Sequence, residues 1–133
     1  MLDGIDHVAI AVRDIEEARR TFDALFGAPG AVEEVADQKV RTCFYDVGGV
    51  HIELVEPTSP DSPIAKFLEK RGGGIHHIAF RTTDLEGALA QLSEKGFRLI
   101  DHEPRAGAGG KKIAFLHPAS THKVLMELCR YDA

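Results

Sequence analysis

A chain of 133 residues is long enough to bury one core, and its formal net charge of −5 disfavours a general nucleic-acid binder. Hydrophobic residues make up 44%, yet no apolar run approaches the ~18 residues of a membrane span. The opening Met1–His7 has no basic region leading into an apolar stretch, which argues against a signal peptide. Cys43 and Cys129 both lie in apolar runs, so they are expected as buried thiols in a reducing compartment, the cytoplasm by default.

In chain order, the β-branched run Val8–Val12 predicts a strand and Asp14 a helix N-cap. Ile15, Ala18, Phe22, Leu25 and Phe26 recur at helical spacing, and Gly27 ends the helix. Strands follow over roughly Ala31–Ala36, Val40–Val47 and Val50–Val55, with Gly48-Gly49 as a hairpin turn. Pro57–Pro63 reads as a loop, Ile64–Lys70 as a short helix, and Gly72-Gly73-Gly74 as a joint. A strand over Ile78–Thr82, an N-cap at Asp84 and a helix carrying Leu85, Ala88, Leu89 and Leu92 then repeat the opening, and Gly96 ends that helix. Three more strands are expected, roughly Arg98–His102, Lys112–His117 and Lys123–Cys129, the last two joined by the turn Pro118–Thr121. Gly107–Gly110 reads either as a loop that closes over a ligand or as a plain hairpin loop.

The chain thus contains itself twice. Asp6-His7-Val8-Ala9 to Asp14-Ile15-Glu16-Glu17-Ala18 matches His76-His77-Ile78-Ala79 to Asp84-Leu85-Glu86-Gly87-Ala88 at a constant offset of 70 (77 against 7). The expected class is α+β, with two paired βαβββ modules in a single domain spanning 1–133. Module one covers 3–57, a linker 58–74 and module two 75–131.

Side chains alternate along a strand, so His7 shares a face with Ala9 and Ala11, and His77 with Ala79. Small neighbours leave room beside each imidazole. The last strand of each half carries a carboxylate between apolar residues, Glu53 and Glu127. A carboxylate so placed is costly unless paired or bound to metal. Any one of these residues has a bland explanation, a core histidine or a solvent-facing glutamate. All four at equivalent places of two repeats predict one divalent ion held by His7, Glu53, His77 and Glu127, and such an N/O set suits Mn, Co, Ni, Fe or Zn. His76 has the opposite parity from His77 and should point away. His51 shares parity with Glu53, as a supporting or a surface residue. Lys111, Lys112 and Lys123 form either a basic patch or ordinary solvated surface.

The paired modules and the doubled His/Glu set resemble the vicinal-oxygen-chelate (glyoxalase) superfamily. More narrowly, the chain resembles the methylmalonyl-CoA epimerase family over nearly its whole length. The resemblance rests on Ile5–Val12, Glu53–Thr58, Ser62–Lys70, Gly74–Phe80 and Lys112–Pro118. It implies interconversion of (2R)- and (2S)-methylmalonyl-CoA by loss and return of the C2 proton. It implies one divalent ion (Co, Mn, Ni or Zn), an acyl-CoA substrate, a homodimer, cytoplasmic location and a place in propionate metabolism. By resemblance Glu127 is both ligand and acid/base, and Asp37 stands where the family has its second catalytic carboxylate. Gln38, Lys112 and Ser120 are implied substrate contacts, and the first carboxylate position, Glu53 here, holds Gln in some relatives.

The sequence departs from the family at two turns. Asp37-Gln38-Lys39-Val40 replaces a Glu-Gln-Gly-Val motif, which shortens the acid by one methylene and puts Lys39 in place of Gly. Thr121-His122-Lys123 stands where relatives commonly carry Gly. Two other readings compete. Bacterial glyoxalase I can carry the same ligand set, but its usual Asp-Pro-Asp/Asn-Gly turn is replaced here by His117–Thr121. Drug-sequestering binders of the same fold have generally lost the ligands that this chain keeps.

Overall fold

In a computed structural model, residues 1–27 and 31–132 are described. The elements are β1 (Gly4–Ala11), α1 (Ile15–Phe26), β2 (Glu33–Val35), β3 (Val40–Val47), β4 (Val50–Pro57), α2 (Pro63–Arg71), β5 (Gly74–Arg81), α3 (Leu85–Glu94), β6 (Arg105–Ala106), β7 (Lys111–Leu116) and β8 (Met126–Tyr131). The class is α+β, and the βαβββ order occurs twice. The chain divides into two compact units, His7–His76 and the remainder, Met1–Asp6 with His77–Ala133. No helix among the described residues is long and apolar enough to cross a membrane.

In the first unit the strand order is β2-β3-β4-β1, with β4 parallel to β1 and antiparallel to β3. Asp14 caps α1 by accepting from the N–H groups of Glu16 and Glu17, and Glu56 Oε2 accepts from Ile15 N–H at 2.9 Å. The four orphan donors of a helix start explain both contacts. One sheet face packs on α1 through Ile15, Cys43, Tyr45 and Leu54, with Ile10, Phe22 and Ile52 around them. The other face carries His7, Ala9 and Glu53, all buried. Gly48 and Gly49 both take positive φ, 62° and 87°, as a two-residue hairpin turn requires. The Pro57–Pro63 loop gives way to α2, whose cap is the fully buried Ser62.

The second unit runs β5-β8-β7-β6, with β8 parallel to β5. Leu85, Ala88, Leu89 and Leu92 of α3 pack on Ala114, Leu116 and Leu128. The opposite face carries Ile113, Phe115 and Cys129. Cys43 and Cys129 are buried outside any disulfide, and burial raises their pKa, so they stay protonated.

Two expected elements differ. The strand over Arg98–His102 is absent, leaving a single bridge between Leu99 and Leu116. There the Phe115 carbonyl accepts from both Ile100 and Asp101 N–H, while Asp101 Oδ2 accepts from Phe115 N–H at 2.9 Å. A side chain thus replaces the ladder, and Pro104 delays pairing until Arg105. The last strand starts at Met126 rather than Lys123, because Lys123 is left-handed and its N–H turns back to Pro118 O at 2.8 Å. The Gly107–Gly110 segment is the hairpin loop between β6 and β7, one of the two readings expected for it, and it is tied down. Lys111 Nζ, 3% exposed as a residue, donates to Ala108 O at 2.9 Å, and a Cβ on Gly107 would lie 2.7 Å from Ile113 Cγ2.

Candidate functional site

Each unit holds one buried His/Glu pair, and the two are built alike. In the first, β1 pairs with β4 so that Glu53 lies beside Ala9, two residues beyond His7 and on the same face. His7 is 1% exposed and Glu53 4%, with His7 Nε2 3.6 Å from Glu53 Oε1. In the second, Glu127 lies beside Ala79, two residues beyond His77. His77 is 4% exposed and Glu127 2%, with Nε2 3.1 Å from Oε1.

The strand on the far side of each glutamate places a phenylalanine directly opposite it. Phe44 pairs with Glu53 and Phe115 with Glu127. Each ring meets its histidine edge-on, Phe44 with His7 at 6.1 Å between centroids and Phe115 with His77 at 5.2 Å. These rings wall the two imidazoles, and both carboxylates are buried. Sequence reasoning missed both rings. A phenylalanine in the strand before each glutamate strand was the available signal.

A buried carboxylate is costly unless paired or bound to metal, and a divalent cation would meet that cost. Two ligands each ~2.1 Å from one ion lie about 3.0–3.4 Å apart at tetrahedral or octahedral angles. The 3.1 Å separation in the second unit suits a shared ion or a hydrogen bond equally, and the 3.6 Å separation in the first is longer than both. What fits a divalent transition ion is the chemistry of the donor set, imidazole nitrogen with carboxylate oxygen, that each unit offers.

The remaining candidates lie on turns and on β7. Asp37 is exposed and Gln38 half-buried, both on a single 3-10 turn, Ala36–Gln38. Lys112 is half-buried on the α3 face of β7 with Ala114 and Leu116, whereas Lys111 occupies the Phe115 face. Ser120 is half-buried, and its Oγ accepts from Arg98 N–H at 2.8 Å.

The two turns that depart from the family share one backbone property. Among the described residues, the only non-glycine residues with positive φ are Lys39 (57°), His122 (54°) and Lys123 (73°). By resemblance, the first lies at a position where Gly was expected and the other two in a stretch where Gly was expected. A left-handed residue with a Cβ costs on the order of 1–3 kcal/mol, so local contacts must hold these turns.

Residues 6–115 match the glyoxalase/bleomycin resistance protein/dioxygenase superfamily. The chain is 41% identical to the ethylmalonyl-CoA/methylmalonyl-CoA epimerase of Cereibacter sphaeroides, over 96% of this chain and 98% of that one. It is 38% identical to the mitochondrial methylmalonyl-CoA epimerase of Bos taurus, over 96% of this chain and 74% of that one. A solved methylmalonyl-CoA epimerase in complex with methylmalonyl-CoA and NH4+ superposes with a TM-score of 0.95 at 37% identity, covering 100% of this chain and 97% of the other. Fold and match together make the chain a member of the glyoxalase/bleomycin resistance protein/dioxygenase superfamily. Within that superfamily it belongs to the methylmalonyl-CoA epimerase family.

Proposed function

We propose that this enzyme is an isomerase that interconverts the C2 epimers of methylmalonyl-CoA, with His7, Glu53, His77 and Glu127 holding one divalent ion, Co, Mn, Ni or Zn. One observation carries the reading. A chain 41% identical across nearly its whole length to an epimerase also buries both His/Glu pairs in the same register. When bound, the ion supplies Lewis acidity to the two oxygens flanking C2, which acidifies its proton. Glu127, beside His77 and walled by Phe115, takes the proton from one face of C2 onto its carboxylate. The Asp37 carboxyl returns a proton to the other face, and inversion requires two such groups. Phe44 and Phe115 limit the water that would compete for the carbanion. Gln38, Lys112 and Ser120 are proposed acyl-CoA contacts, and the modules act as one domain in a cytoplasmic homodimer.

The test is proton exchange at C2 of methylmalonyl-CoA in deuterium oxide, followed by NMR with metal-loaded protein. Rapid exchange with inversion, lost in Glu127→Gln, is the expected result. Metal-loaded protein that leaves C2 unexchanged would overturn the epimerase reading and direct attention to glyoxalase substrates.

A further inference from the structure

We propose that Lys39 is a positioning residue that fixes the Asp37–Gln38 turn by an ion pair to Asp61. The proposal rests on the epimerase reading only in giving Asp37 a proton to move. The clamp itself is independent of that reading.

Lys39 closes the 3-10 turn in a left-handed conformation, φ 57° and ψ 45°, which glycine would adopt freely and lysine adopts only under constraint. Three contacts supply the constraint. Lys39 N–H donates to Ala36 O at 3.1 Å, and Thr58 N–H donates to Lys39 O at 2.9 Å. Lys39 Nζ pairs with the Asp61 carboxylate, whose other oxygen accepts from Ser59 Oγ. Hydrogen bonds from Lys39 first, and from Ser59 next, hold the Asp61 carboxyl down to about 2, so the partner stays ionised at any working pH.

The far end of the clamp is anchored. Ser62 N–H donates to Ser59 O at 3.1 Å, and buried Ser62 caps α2 through Ile64 N–H at 3.2 Å. The near end continues into Val40, paired with Pro57 where β3 and β4 meet at the end of the Glu53 strand. A lone exposed ion pair contributes little to stability. Its value here lies in orientation, because a shift of about 1 Å in a reacting group can cost on the order of 10²-fold in rate.

The experiment compares Lys39→Gly, Asp61→Asn and the charge exchange Lys39→Asp with Asp61→Lys. Each is read by amide hydrogen exchange at Thr58, by melting temperature, and by kcat and KM with methylmalonyl-CoA. Lys39→Gly removes the left-handed penalty, so its melting temperature should not fall. Its Thr58 amide should nonetheless exchange about tenfold faster, and kcat should drop about tenfold with KM within twofold. Asp61→Asn should show the same split of kcat from KM, and the charge exchange should recover at least half of the lost kcat. Unchanged Thr58 exchange in both single variants would overturn the clamp. So would kcat within twofold of the parent in both. If the parent itself proves inactive, the epimerase reading fails separately, and the Thr58 exchange rates alone decide the clamp.

Discussion

The two His/Glu pairs share one register, but their surroundings differ. In the second unit the imidazole and carboxylate are 3.1 Å apart and the Phe115 ring stands 5.2 Å from His77. Phe115 is itself braced, since its N–H is taken by Asp101 and its ring lies under the Arg105 guanidinium at 5.7 Å. In the first unit the pair is looser, 3.6 Å, and the Phe44 ring is divided between His7 at 6.1 Å and His51 at 5.3 Å. A carboxylate that moves a proton needs its position fixed more tightly than one that only holds an ion. On the proposed epimerase reading, the difference fits chemistry at the second pair and holding at the first.

The sharpest way to break this comparison is to neutralise each glutamate in turn. Glu127→Gln should lose on the order of 10²–10⁴-fold in the C2 exchange rate, whereas Glu53→Gln, which keeps a ligating oxygen, should lose less than about tenfold. Equal losses would dissolve the division of labour. Next in size is metal removal. Stripping the loaded protein with a chelator should lower stability by about 2.7 kcal/mol if the ion had been present at 100 times its Kd, read from urea midpoints. Glu53→Gln should retain most of that increment and His77→Ala little.

Trimming the two walls is a finer probe. Phe115→Leu, at a buried and braced ring, should cost about 1–2 kcal/mol, and Phe44→Leu, at a half-buried one, about half as much. Chemical denaturation decides the order, and a larger cost at Phe44 would contradict the tighter framing of the second pair. An effect as small as that at Phe44, but of opposite sign, is expected at the left-handed turn. Lys123→Gly should raise stability by about 0.5–1 kcal/mol, seen as a rise of a few degrees in melting temperature.

Much of this was legible in the sequence because the physics is local. Asp14 and Asp84 cap their helices where the spacing put them, and the period of two set His7 and His77 on the alanine faces. The repeat located Glu53 and Glu127 because equivalent strands end equivalently. What stayed hidden was non-local. Phe44 and Phe115 gain their role only from strand register. The missing strand at 98–102 depends on Asp101 reaching Phe115, and Lys111 reads as a surface lysine until its amine is seen on Ala108 O. The left-handed turns are concealed because lysine and histidine do not advertise positive φ as glycine does.

The substitution of Asp101 for a strand has one more consequence. The sheet of the second unit ends at β6 with only two residues in ladder geometry, followed outward by no further strand of that unit. A long row of unpaired N–H and C=O groups at such an edge would template pairing with another chain. Here the backbone that could have offered that row, Leu99 to Asp101, spends its donors on the Phe115 and Leu116 region instead. The same contacts that brace the wall beside His77 thus leave that border of the sheet too short to recruit a foreign strand, which favours resistance to aggregation.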